Sequence, residues 1–282
     1  EGYSSKIQAQ DGYDIWLKMI NKFKVKNINK PLFYYRQHQN NLTKNIKNIL
    51  HNRYKILENH SNAKDNNKTL AFIPIFENDE KKLFSFKEYK KKKLIDITIN
   101  KGLSSKKINE VCVSTNSLNL TNYLLTKYKN KRKRVKIHVR DKKKANNLSD
   151  ILIDFLKKNN KKYFKNIAIL TTEYPLTKTR ELDAAINSLN IFNASAVESV
   201  INVNNIFYYN YKNGMKIWGN KILKKERDNI YIRKGGITIL EKKNFLRNRK
   251  IINTKKLAHL LIHPVSSLTY QELTEFKNIL ER

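Results

Sequence analysis

Leu70-Ala-Phe-Ile-Pro74 is a short apolar run closed by a proline, and runs of the same kind return at residues 111–114, 135–139 and 167–170. Each is too short for a buried helix and carries the β-branched and aromatic residues of a strand. Counted to its last apolar residue, the first strand covers 70–75. Between the last two strands, residues 148–156 space their apolar side chains for one face of a helix, and 180–189 follow as another. Strands that alternate with amphipathic helices predict a parallel α/β sheet with right-handed crossovers. Residues 196–203, 207–211, 230–232 and 237–240 add strands, and 270–280 close the chain as a helix. No internal repeat is present.

Upstream of residue 69 the texture differs. Tyr13, Trp16, Leu17 and Ile20 fall at i, i+3, i+4 and i+7, which predicts a helix over 11–20. Asp14 and Lys18 pair at i,i+4 on its other face, and Asp11 stands at its start, where an acid suits the positive end of the dipole. Residues 31–35 open on a proline and are filled with aromatics, as an extended segment would be. A second helix is predicted over 41–58, with Leu42, Ile46, Ile49 or Leu50, Tyr54 and Leu57 as its stripe. Residues 59–68 are polar and rich in helix breakers, so the boundary between two units is placed there: 1–60, a linker over 61–68, and 69–282.

The 282 residues hold 58 Lys+Arg against 24 Asp+Glu, a formal charge of +34. The lysines are spread along the whole chain together with Asn and Ile, which share A/T-rich codons, so base composition alone accounts for much of the excess. The densest clusters, 90–93, 131–134 and 142–144, stand beside turns or helix ends as solvated charge. No stretch interleaves aromatics with basic residues as single-strand binders do, so a nucleic-acid partner is not favoured. One cysteine, Cys112, excludes a disulfide framework and a Cys-rich zinc site. His259 and His263 are four apart, but Pro264 follows and no acid lies near, which argues against a metal pair. No apolar run approaches the ~20 residues of a membrane span. The chain is expected to be cytoplasmic, with a peripheral membrane contact left open, and to be a fragment whose beginning lies further upstream.

Gln10-Asp-Gly-Tyr-Asp-Ile-Trp-Leu17, followed by Pro31-Leu-Phe-Tyr-Tyr-Arg-Gln-His38, resembles the end of the catalytic domain of GT-A-type family-two glycosyltransferases. The resemblance covers the first 55 to 60 residues. It implies that Asp11 matches the carboxylate that takes a proton from the acceptor hydroxyl. Arg36 and His38 would lie near the nucleotide diphosphate and stabilise the departing charge. The bland reading of Asp11 is a helix cap, and of Arg36 and His38 surface positions on a strand end. The family's nucleotide-binding strands and metal-binding Asp-x-Asp would lie upstream, so the fragment alone is expected to be inactive.

Residues 69–282 resemble the acylneuraminate cytidylyltransferases, which make CMP-activated sialic-type sugars. Seven landmarks occur in the family's order: Leu70-Ala-Phe-Ile-Pro74, Val111-Cys-Val-Ser-Thr-Asn-Ser117, Arg140 with Leu148-Ser-Asp-Ile-Leu-Ile153, residues 170–176, the helix over 178–186, Ser195-Ala-Val-Glu-Ser-Val200, and Arg233-Lys-Gly-Gly-Ile-Thr-Ile239. The resemblance implies a Rossmann-like nucleotide-diphospho-sugar transferase fold, with Arg140, Ser149, Lys234 and Gly235 at positions that meet nucleotide or sugar. Asp150 falls there too and reads better as a helix-surface acid.

The departures fall on the chemistry. The family's glycine-bearing phosphate loop becomes Ile75-Phe-Glu-Asn-Asp-Glu-Lys-Lys82, with no glycine and three acids. Its Ser-Thr-Asp becomes Ser114-Thr-Asn116, its Gln-Pro-Thr-Ser becomes Thr171-Thr-Glu-Tyr174, and its magnesium-holding Asp-Ile-Asp becomes Ser267-Leu-Thr269. A hard divalent cation wants carboxylate oxygens. The expectation is therefore part of a surface-polysaccharide biosynthesis protein, a glycosyltransferase fused to a catalytically impaired cytidylyltransferase-like domain. Its partner would be a nucleotide-sugar or sugar, with homo-oligomers open. No metal ligand is assigned, and magnesium enters only if nucleotidyl transfer persists. Two alternatives stand beside it: an active, divergent cytidylyltransferase for an acidic sugar, with Lys81, Lys82 and Lys87 replacing the loop cations, and a basic module for nucleic acid or a membrane surface.

Overall fold

In a computed structural model, the structure describes residues 7, 9–20, 22–26, 28, 30, 32, 34, 45–61, 67–76, 82–140, 147–159, 163–203, 205, 207–212, 214–217, 229–252 and 256–280. The described elements run α1 (Asp11–Ile20), α2 (Ile46–His60), β1 (Thr69–Pro74), β2 (Glu88–Tyr89), β3 (Lys92–Lys93), α3 (Leu94–Ser104), β4 (Ile108–Thr115), α4 (Leu118–Lys127), β5 (Val135–Val139), α5 (Leu148–Lys158), β6 (Asn166–Leu170), α6 (Thr179–Ile191), β7 (Ala196–Val203), β8 (Tyr208–Tyr211), β9 (Gly214–Ile217), β10 (Ile230–Glu241), α7 (Lys242–Asn248), β11 (Leu257–Leu261) and α8 (Tyr270–Leu280).

The predicted α/β class holds. Seven strands form one sheet in the order β11-β7-β10-β6-β1-β4-β5. Every neighbouring pair is parallel except the two that involve β10, which runs antiparallel to both β6 and β7. The chain winds outward from β1 to β4 and β5, then crosses back to lay β6 on the other side of β1. The carboxyl ends of β1 and β6 thus flank the point where strand order reverses, the usual seat of a ligand in an open α/β sheet.

The side chains of β1 alternate between two cores. Leu70 and Phe72 face a cluster with Cys112, Ile151, Phe155 and Phe164, beneath α5 and α7. Ala71 and Ile73 face the other side, with Ile99, Leu120, Leu182 and Ile186 of α3, α4 and α6. That second cluster continues into Leu50, Leu57 and Leu17, so α2 and then α1 pack over α6 as further layers on the same face. Tyr54 on α2 donates its hydroxyl to the carbonyl of Leu261 at the end of β11, 2.8 Å away.

Several local readings need correction. Helices α3 and α4, strands β9 and β11 and the short helix α7 were not foreseen. The two strands expected at 230–232 and 237–240 are one strand, β10, whose register slips between Arg233 and Thr238. Strand β8 pairs with β9 as a separate hairpin rather than with the main sheet. Helix α2 starts at Ile46 behind an Asn45 cap, whose side chain accepts the Asn48 N–H. Asp14 does pair with Lys18 at 2.8 Å, but it is buried and also meets His60 of α2 at 2.7 Å, so this acid ties α1 to α2 rather than facing solvent. The lysines at 90 and 91 occupy the turn between β2 and β3, as expected of solvated charge. The cluster at 142–144, the phosphate-loop positions 77–81 and the extended segment 31–35, apart from Leu32 and Tyr34, lie outside the described residues. No described helix is long and apolar enough to cross a membrane.

Candidate functional site

The carboxyl ends of β1, β4, β5 and β6, with the kink of β10 beside them, gather the residues singled out from sequence for 69–282 (Ser149 excepted). Arg140 follows β5 directly. Its backbone N–H bonds the Thr115 carbonyl at 2.8 Å, and its side chain turns inward. One guanidinium nitrogen donates to the Ser114 carbonyl at 3.0 Å; the other donates to the carbonyl of Ile75 and lies 3.4 Å from the Asn116 Oδ1. The Phe76 ring sits 5.0 Å from the guanidinium carbon. Arg140 is buried, and that burial pulls its pKa down. Its donors therefore bind the ends of three adjacent strands together instead of reaching into solvent.

Lys234 and Gly235 sit in the β10 kink. The Lys234 ammonium lies 2.8 Å from the Glu272 carboxylate on α8. Glu272 also accepts the Thr269 N–H at 2.7 Å, and its own N–H bonds the Thr269 hydroxyl at 3.2 Å. That reciprocal pair is a capping box for α8. The hydrogen bond from Lys234 and that from the Thr269 backbone hold the Glu272 carboxyl below its ordinary range. Thr269 is thus a helix cap, and the Ser267 hydroxyl donates to the Pro264 carbonyl at 2.6 Å.

The two glycines are needed for space and conformation. Gly235 and Gly236 have φ of +87° and +65°, which side chains rarely adopt. A Cβ at Gly236 would lie 2.3 Å from the Thr171 hydroxyl and 2.7 Å from the Tyr174 ring. The kink presses β10 against the loop after β6, where the Thr171 N–H bonds the Gly236 carbonyl at 3.1 Å. Thr177, also on that loop, lies within 3.0 Å of the Gly235 and Ser266 carbonyls. Lys101 of α3 comes from behind. It is buried, its ammonium donates to the Tyr174 carbonyl at 3.2 Å, and burial lowers its pKa to about 8.

His138 and its neighbour Asp154 escaped the sequence reading. The buried Ser114 hydroxyl is 2.9 Å from His138 Nδ1, and His138 Nε2 is 3.3 Å from Asp154. The order Ser–His–Asp invites comparison with a hydrolytic triad. Ser114 is wholly inaccessible, however, so its hydroxyl cannot meet a substrate as a nucleophile does. Only the alternation of Lys136 and His138 with apolar residues in β5 hinted at the group.

The remaining assignments are scattered. Ser149 is half-buried in the first turn of α5. Beside it, Asn147 and Asp150 cap the helix reciprocally, so Asp150 is a capping acid. Asp11 heads α1 at the surface, where its carboxylate accepts the Gly12 N–H at 2.9 Å. Its partners in the glycosyltransferase reading, Arg36 and His38, lie outside the described residues. His259 stacks on Tyr231 along a strand, while His263 caps the turn after it. Among the described residues no three His, Cys, Asp or Glu side chains converge to hold a metal. The carboxylates of Glu198 in β7 and Glu272 in α8 are already matched by Arg233 and Lys234. Magnesium does not fit this set.

Three solved structures have a similar fold. A 4-diphosphocytidyl-2C-methyl-D-erythritol synthase from Anaerococcus prevotii DSM 20548 superposes with a TM-score of 0.57 at 13% identity, over 79% of this chain and 100% of that one. A second 4-diphosphocytidyl-2C-methyl-D-erythritol synthase gives 0.55 at 10% identity, over 76% and 99%. A CMP:2-keto-3-deoxy-manno-octonic acid synthetase complexed with CTP gives 0.51 at 10% identity, over 76% and 98%. The fold is cytidylyltransferase-like. No family model and no curated protein matches the sequence. At these identities the likeness carries the fold alone.

Proposed function

We propose that this chain is part of a surface-polysaccharide biosynthesis protein: residues 1–60 are the tail of a glycosyltransferase catalytic domain, and the cytidylyltransferase-like domain after them holds a sugar or nucleotide without transferring a nucleotidyl group efficiently. The observation that carries the reading is the commitment of the strand-end cations. Arg140 is spent on backbone carbonyls and Lys234 on Glu272. Nucleotidyl transfer depends on cations and a metal to neutralise the phosphates. The positions matched to the metal carboxylates, Ser267 and Thr269, serve in turns and caps instead. The sugar or nucleotide would sit at the reversal of strand order beside Thr171, whose buried hydroxyl lacks a partner among the described residues.

Isothermal titration with CTP and magnesium, together with pyrophosphate release in the presence of acidic sugars, tests this. Weak, metal-independent binding and no pyrophosphate are expected. Tight metal-dependent binding with turnover would replace the reading with an active, divergent cytidylyltransferase.

A further inference from the structure

A groove of about 530 Å³ runs between α2, α6 and the turn from α3 to β4. That volume is in the range of small-molecule sites. It is separate from the strand-end site. It shares no lining residue with that site and lies along α6 beneath α2, with Arg180 toward one end and Lys106 and Lys107, just before β4, on its rim.

The charge along the groove is lopsided. Lys55, Lys106, Lys107 and Arg180 face it, against Glu58 and Asp183. Arg180 stands in the first turn of α6, so its guanidinium adds to the positive end of a 13-residue helix. One of its terminal nitrogens is 3.2 Å from His51 Nδ1, and its Nε has no partner among the described residues.

The floor supplies the second observation. Asn187 of α6 lines the groove at 2% exposure, and its Oδ1 has no hydrogen-bond partner among the described residues. Buried side-chain acceptors are nearly always satisfied, and leaving one unmet is costly. Beside it Asp183 is already engaged, accepting the Ser105 hydroxyl and a backbone hydrogen bond at Lys106. A cationic rim calls for an anion, and an unmet acceptor in the floor calls for an O–H or N–H donor on the same molecule.

We infer that the α2–α6 groove is a binding site for a small hydroxylated anion of the sugar-phosphate class, with the phosphate held at the Arg180, Lys106 and Lys107 rim and a sugar hydroxyl donating to Asn187. The Asn187 amide is kept for this ligand at the expense of stability.

Glucose 6-phosphate, inorganic phosphate and glucose serve as probes in calorimetric titrations of the full chain. Glucose 6-phosphate is expected to bind at least ten-fold more tightly than phosphate, and glucose not measurably. Asn187→Leu, which fills the same space without a polar atom, is expected to raise the thermal midpoint and to reduce glucose 6-phosphate binding to the level of phosphate. Arg180→Gln is expected to weaken both anions. Equal binding of the sugar phosphate and phosphate by the wild type, no binding at millimolar concentration, or full binding by a correctly folded Asn187→Leu each overturn the assignment.

Discussion

The ammonium of Lys234 lies 2.8 Å from Oε1 of Glu272, while the other oxygen of the same carboxylate takes the Thr269 N–H. One acid therefore both caps α8 and occupies a cation at the strand-end site. Replacing Glu272 with Gln keeps an oxygen for the cap but removes the charge. The partly buried, solvent-screened pair contributes about 1 kcal/mol or less, so stability is expected to change little. The freed ammonium is expected to raise affinity for CTP or inorganic pyrophosphate several-fold in a calorimetric titration. Unchanged affinity would mean that Lys234 does not face the ligand.

Arg140 separates a binding role from a structural one. If its guanidinium serves the carbonyls of Ile75 and Ser114, then Arg140→Ala leaves buried acceptors unmet. A loss of about 2–4 kcal/mol is expected from two such bonds to a charged donor, read as a lower urea midpoint. A solvent-facing arginine would cost almost nothing.

How these residues could be read beforehand divides along physical lines. The strands β1, β4 and β6 were legible because a sheet covered on both faces demands apolar runs, and the edge strand β5 because Val135, Ile137 and Val139 alternate with polar residues. Helix α3 was hidden because its buried face includes Asp96, Thr98 and Lys101, which blur the apolar period. Helix α4 exposes Leu118 and Leu125, so its apolar residues are not confined to one stripe. Strand β10 looked like two because Lys234-Gly235-Gly236 interrupts it, yet the sheet carries the strand through that kink. The positions of Arg140 and Lys234 at the strand ends were legible from motif order. Their occupation was not, since Glu272 and the Ile75 carbonyl are distant in sequence from the cations they hold.

His138 supplies a pH dependence. Burial lowers its pKa below the ordinary histidine value, outweighing the attraction of Asp154, while Lys158 and Arg140 push the same way as burial. The Phe155 ring closes another side. The folded state therefore binds the proton less readily than the unfolded chain. The contribution is complete above the unfolded value near 6.5 and declines as pH falls below it, toward the folded pKa. Urea midpoints compared at pH 7 and pH 5 are expected to fall more for the wild type than for His138→Gln. Equal falls would sink the assignment.

Lys101 titrates in the opposite part of the scale. Its ammonium is buried, holds only the Tyr174 carbonyl at 3.2 Å among the described residues, and has Glu181 as its favourable neighbour. Burial lowers the folded pKa to about 8, against about 10.4 in an unfolded chain. The native state thus carries the cost of a buried cation in full below pH 8 and sheds it as pH rises from 8 toward 10.4. Lys101→Met keeps the length of the side chain and removes the charge. At pH 7 the variant is expected to be more stable by roughly 1–3 kcal/mol, a range below the full linkage value because the bond to Tyr174 is lost. The decisive readout is the difference between the two proteins across pH: the advantage of the variant shrinks between pH 8 and 10. An advantage that stayed constant over that interval, or a variant less stable at pH 7, would show that the ammonium is matched well enough by Glu181 and the Tyr174 carbonyl to be a net support of the loop after β6.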